Sequence, residues 1–253
     1  MMARRTLPTR ALLACGAVAG PVYVTVAMAQ ALTRDGFDLA RHRFTALTAG
    51  DLGWIHKSNM LLVGVLTVLF AVGAAQVLRT GRGAVWGPRL LGLFGVAYVI
   101  GGALTADPVA GFPPGAASEM VQTTWQGAAQ NASRGASTFL LIATSVVIAR
   151  HFAATGRRGW AWFYGLYGAA VPVVFAALIA VKSAVGGYPY AIAVVFLVTP
   201  WIWVTILAAH LYGRESGNEV MFPDTAPAAA RSAHVSRTTG GGSSGHDSGD
   251  VQS

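Results

Sequence analysis

The chain has 253 residues, 54% of them hydrophobic and 11% charged, with a net charge of +8. Soluble domains carry about 25% charged residues, so this composition excludes an ordinary water-soluble core and points to a chain adapted to a bilayer. The basic excess does not indicate nucleic acid, because the lysines and arginines sit at the ends of apolar blocks and are not interleaved with stacking aromatics.

Six apolar blocks are each close to the roughly 20 residues that a helix needs to cross a bilayer. They lie at about 11–32, 56–78, 88–106, 134–150, 160–182 and 190–212. The first contains Pro21 and the lone cysteine, Cys15, which has no disulfide partner and no metal-binding companion. Two arginines, an apolar stretch and Ala27-Met28-Ala29 also resemble a cleaved leader, but the block is longer than the usual leader core of about 7–15 residues. A retained helix is the favoured reading. Between the first two blocks, Phe37, Phe44 and Leu47 recur at near-helical spacing opposite Arg41, His42 and Arg43. That pattern predicts a short amphipathic helix over 37–48 lying on the membrane surface. The third block is interrupted by Gly92, Gly95, Gly101 and Gly102, which in lipid mark close helix contact. The fourth opens on polar residues, and the fifth carries Pro172, a kink that neighbouring helices can accommodate. From about Glu215 the chain turns to Ser, Gly, Thr and Asp, which cannot bury enough apolar surface to offset the entropy of ordering. The expected organisation is an amino end (1–10), an all-α bundle of six transmembrane helices (11–212) and a disordered tail (213–253).

Orientation follows from basic residues in the short connections. Arg4, Arg5 and Arg10, then Arg79, Arg82 and Arg89, then Arg150, Arg157 and Arg158, and finally Arg214 fall on one side without acidic residues among the connecting segments. The opposite side mixes Arg34, Arg41, Arg43, Lys57, Arg134 and Lys182 with Asp35, Asp38, Asp51, Asp107 and Glu119. The unopposed positive side is expected to be cytoplasmic, with both termini there, in the cell membrane.

Three stretches on the outer side form a recognisable set: LTRDGFDLARHRFTALTAGDLGWIHKSN at 32–59, ADPVAGFPPGA at 106–116 and TTWQGAAQNAS at 123–133. In this order and spacing, with six spans, they resemble the bacterial and archaeal membrane proteins grouped as domain of unknown function 998, over roughly Ala11 to Tyr212. The resemblance implies a fold and a membrane location and no settled activity. Members commonly show Trp-His-Gly-x-x-His at the third stretch. Here the matching positions are Trp125, Gln126, Gly127 and Gln130, so glutamines replace both histidines. A metal or a histidine proton relay at that site is therefore doubtful, since Gln can only hydrogen-bond there.

Polar groups close to bilayer depth usually pair inside a bundle or line a cavity. The candidates gather on the outer side: Asp51, His56, Asp107, Gln126, Gln130, Arg134 and Lys182, with Trp125 and the Arg41-His42-Arg43 run beside them. They predict an outward-opening polar pocket in which Asp107 pairs with Arg134 or Lys182. Plainer roles stand beside this one: Lys182 snorkelling from a helix end, Asp107 capping a turn before Pro108, and His42 and His56 as interfacial side chains. No nucleotide-binding loop, zinc pair or nucleophile elbow occurs in the chain, and no cofactor is expected. The first reading is a binding protein for a lipid, an apolar small molecule or a partner membrane protein, with a homo-oligomer also open. The second is a membrane-embedded enzyme acting on an isoprenoid or lipid, with Asp107 or Asp51 as acid or base. The third is a small transporter, weakened by the lack of paired repeats.

Overall fold

The computed structural model describes residues 8–39, 41–78, 81–109, 111–116, 123–185 and 190–221, with side chains undescribed at 82, 175, 178–185, 190–193, 196 and 216–221. The described residues are helical throughout, apart from connecting loops and an isolated two-residue bridge between Val109 and Phe112. The helices are α1 (Thr9–Thr33), α2 (Gly53–Val77), α3 (Gly81–Ala103), α4 (Trp125–Ala154), α5 (Arg158–Val185) and α6 (Tyr190–Met221), with a 3-10 helix at Phe44–Thr48. Long helices are the expected solution for apolar chain in lipid, because they satisfy every backbone group internally. Among the described residues, α1, α2, Gly83–Ala103 of α3, and α4 are each long and apolar enough to cross a membrane. The chain is a multi-pass helical membrane protein.

Residues 1–213 form one compact unit. Its helices alternate in direction, as their end contacts show. The start of α1 meets the end of α2 through Thr9 and Gln76 (2.7 Å). The start of α2 meets the end of α3 where Lys57 Nζ donates to Thr105 Oγ1 (2.6 Å). The end of α3 meets the start of α4 where Ser133 Oγ donates to the Ala97 carbonyl (2.5 Å). The end of α4, the start of α5 and the carboxyl half of α6 converge where Phe152 stacks on Tyr164 and meets His210 edge-on. A second unit begins at Arg214, and its described part, Arg214–Met221, is helical. The expected disordered tail lies, from residue 222 on, outside the described residues.

Small residues set the closest crossings, as they do where lipid offers no hydrophobic drive between helices. At the α2–α3 crossing, a Cβ added to Gly64 would lie 2.7 Å from the Gly95 carbonyl, and one added to Gly95 would lie 2.7 Å from that of Gly64. Only glycine at both positions permits this approach. Gly102 similarly faces the Lys57 carbonyl, whereas Gly92 has room to spare, with Ala71 Cβ at 3.6 Å.

Two local expectations need correction. The sequence places the fourth span at 134–150, but α4 begins at Trp125. In its first turns Gln130 and Ser133 are buried and bonded to α3, so their polarity does not mark a loop. The predicted amphipathic helix over 37–48 is not found among the described residues of that segment. Among them Phe44–Thr48 alone is helical, as a 3-10 turn with all five residues buried. The apolar spacing of Phe37, Phe44 and Leu47 serves an aromatic cluster folded onto the bundle and does not form a lipid-facing stripe.

Candidate functional site

The three motif stretches meet at one end of the bundle. Arg34, immediately after α1, donates from Nη1 to the Leu47 carbonyl (2.5 Å) and from Nη2 to the Ala49 carbonyl (2.6 Å). Its guanidinium also lies 5.0 Å from the centre of the Phe112 ring. Burial lowers the Arg34 pKa while neighbouring Asp51 raises it; a guanidinium stays charged throughout. Phe112 is fully buried and packs edge-on to Phe37 at 5.2 Å, with His42 at 5.4 Å. His42 Nδ1 accepts the Asp38 backbone N–H at 2.8 Å, which fixes the imidazole in this cluster.

Thr48 is the hub. Its hydroxyl donates to the Thr45 carbonyl (2.8 Å) and accepts from the Ala106 backbone N–H (2.9 Å) and from Gln130 Nε2 (3.1 Å). Gln130 Nε2 also reaches the carbonyls of Gly101 (3.2 Å) and Leu104 (3.4 Å). One buried amide thus ties α4 to the end of α3 and to the first loop.

Asp107 sits against the amino terminus of α4. Its Oδ1 accepts from Thr124 Oγ1 at 2.5 Å, and the Thr124 backbone N–H points at both carboxylate oxygens (3.2 and 3.3 Å). Thr124 Oγ1 in turn accepts the Gly127 N–H at 3.1 Å, a helix N-cap. A Cβ at Gly127 would overlap the carboxylate, so glycine is what lets the acid approach the positive end of the helix. The carboxylate is bonded to Thr124, and no ion pair with Arg134 forms.

Beside this clamp lies a cavity of about 520 Å³ that runs into the bundle. Its polar rim includes Arg41, Arg43, Asp107, Gln130, Asn131 and Arg134. Deeper, it is walled by Tyr23 of α1, Phe94 and Tyr98 of α3, and Tyr167 of α5. Apolar residues of α4, α5 and α6, such as Ile142, Val171 and Leu197, complete the wall. Tyr23, Tyr98 and buried Trp201 hold one another in mutual ring contact at 4.8–5.5 Å.

Of the residues singled out from sequence, Arg41, His42, Asp107, Gln130 and Arg134 line this cavity. Asp51 is exposed and does not line it. Trp125 is 73% exposed and Gln126 half-buried, both outside the lining. His56 is fully buried below the loop, 5.8 Å from the Tyr23 ring, with neither ring nitrogen hydrogen-bonded. Lys182 falls on α5, and its side chain lies outside the described residues. Among the described residues, no group of three or more His, Cys, Asp or Glu side chains could hold a metal ion.

Sequence reasoning missed Thr48, Thr124, Arg34 and the three cavity tyrosines. Thr124 carried a readable signal, a threonine just before a helix. The tyrosines did too, as polar-tipped rings within otherwise apolar spans.

Chemically, this is a slot with an aromatic, apolar interior and a cationic, hydrogen-bonding mouth. A family model described as "Protein of unknown function (DUF998)" matches residues 17–210 of the chain. No curated protein and no solved structure matches.

Proposed function

The chain belongs to the DUF998 family, and from that premise we propose that it is a binding protein of the cell membrane that takes one amphiphile, a lipid or apolar small molecule, into the cavity beneath its first loop. The observation that carries this reading is the cavity itself. Its volume of about 520 Å³ falls within the roughly 300–1,000 Å³ typical of small-molecule sites, and its polarity is graded from rim to interior. The catalytic alternative, with Asp107 as acid or base, is less well supported, because that carboxylate already accepts from Thr124 at the helix terminus. Asp51, the other acid considered, stands outside the cavity lining.

The proposal includes six crossings with both termini cytoplasmic. Alternating helix directions support this reading, as does the cluster Arg150, Arg157 and Arg158 at the end of the bundle opposite the cavity mouth.

Native mass spectrometry of the full chain, extracted from its membrane in mild detergent, tests the binding reading. A one-to-one adduct is expected on the wild type and not on Ser137→Trp, which projects a large ring into the cavity wall. Adducts carried equally by both proteins, or by neither, would defeat the proposal.

A further inference from the structure

We propose that the amphiphile has a single chain and an oxyanion head, a phosphate or carboxylate, with the head held at the rim by Arg134 together with Arg41 and Arg43. This rests on the binding reading above and specifies its ligand. Among the described residues, the charged groups lining the cavity are three arginines and one aspartate, which leaves the mouth they form net positive. Asp107 does not offer its carboxylate to a cationic head, since its oxygens are directed to Thr124 and the start of α4. At the rim Arg41 Nε pairs with Asp38 Oδ2 at 3.5 Å, between an exposed and a half-exposed side chain, the kind of pair an anion displaces at little cost.

Arginine is suited to this task. Its planar fork presents parallel N–H donors that match the two oxygens of a phosphate or carboxylate. Arg134 lies one helical turn beyond Gln130, on the face of α4 that the cavity borders. Asn131 and Thr138, also in the lining, add a side-chain amide and a hydroxyl near it. Past this rim, Phe94, Tyr98, Ile142, Val171 and Leu197 supply an apolar wall for a tail. The volume sets the tail number. A cavity of about 520 Å³ encloses something of drug-like size, so one acyl or prenyl chain fits where a two-chain lipid does not.

The test is equilibrium binding to the full chain in phosphatidylcholine nanodiscs, with three oleoyl probes of equal tail: lysophosphatidate, oleate and uncharged monooleoylglycerol. Dioleoyl phosphatidate and inorganic phosphate serve as competitors. The wild type should bind at least one of the two charged probes about tenfold or more tightly than monooleoylglycerol, as expected for charge-assisted bonds. Arg134→Gln should remove that preference while leaving monooleoylglycerol affinity unchanged, and Arg89→Gln, exposed on α3 and outside the cavity lining, should change nothing. Whichever charged probe binds tighter identifies the head. Equal binding of charged and neutral probes, unaffected by Arg134→Gln, would overturn the oxyanion head and leave the cavity reading standing. Displacement by millimolar inorganic phosphate alone would assign the site to free phosphate, and equal competition by dioleoyl phosphatidate would overturn the single chain. Binding of none of the three probes would remove the cavity reading as well.

Discussion

Replacing Asp107 with Asn should destabilise the bundle although it changes no side-chain volume to speak of. In the native protein the buried carboxylate accepts a short bond from Thr124 Oγ1 (2.5 Å) and faces the Thr124 N–H, with Thr124 itself exposed. The amide keeps one acceptor oxygen but loses the charge. Hydrogen bonds to charged groups contribute about 1.5–3 kcal/mol against about 0.5–1.5 for neutral ones, so roughly 1–1.5 kcal/mol is lost there. Removing a negative charge from a helix amino terminus costs about 0.3–1 kcal/mol more. The sum, about 1.3–2.5 kcal/mol, should appear as a lower midpoint in SDS-driven unfolding from mixed micelles, followed by tryptophan fluorescence. Asp35→Asn, at an exposed position in the first loop, should shift the unfolding free energy by less than about 0.5 kcal/mol. Equal, small effects of the two substitutions would refute the clamp at the start of α4.

The same unfolding assay checks three further expectations. Gln130→Ala removes the buried amide that bonds Thr48, Gly101 and Leu104 and should cost about 1–3 kcal/mol, whereas Gln126→Ala, half-buried on the same helix, should cost under about 0.5 kcal/mol. His56→Phe should leave stability unchanged or raise it, because the ring nitrogens it removes are fully buried without partners and such groups cost about 1–3 kcal/mol each; a marked loss would show that the imidazole is bonded after all. Gly64→Val drives a side chain into the Gly95 carbonyl and the Val99 backbone and should destabilise by about 1–3 kcal/mol or more, while Gly135→Ala, with open space at its Cβ, should not destabilise.

Apolar runs made α1 and α2 legible to within a few residues, because exclusion of charge is the direct signature of a bilayer. The start of α4 was not legible from hydropathy. Gln130 and Ser133 are polar, yet their partners are carbonyls of α3 that the chain supplies some thirty residues earlier. The 37–48 segment misled in the opposite sense. Its apolar residues do recur with helical spacing, but Phe37 meets Phe112, a contact no local window contains. Asp107 stands out in the sequence as an acid near bilayer depth, while its partner Thr124 is readable only as the threonine ahead of Trp125 that caps α4 by accepting the Gly127 N–H. Distance in sequence also hides the inner half of the cavity. Tyr23, Tyr98 and Tyr167 lie on three different helices, and which way each ring faces depends on packing rather than on its own neighbours.

The most direct test of ligand binding inside the bundle is photolabelling of the full chain in nanodiscs with a lysophosphatidate carrying a diazirine near the end of its tail, followed by peptide mapping. The binding account predicts labels on cavity-lining positions such as Tyr98, Ile142 and Val171, with competition by unlabelled lysophosphatidate. Labels confined to outward positions such as Phe139, Leu166 and Val173, each at least 68% exposed, and indifferent to competitor, would show a tail dissolved in the surrounding bilayer and would contradict it.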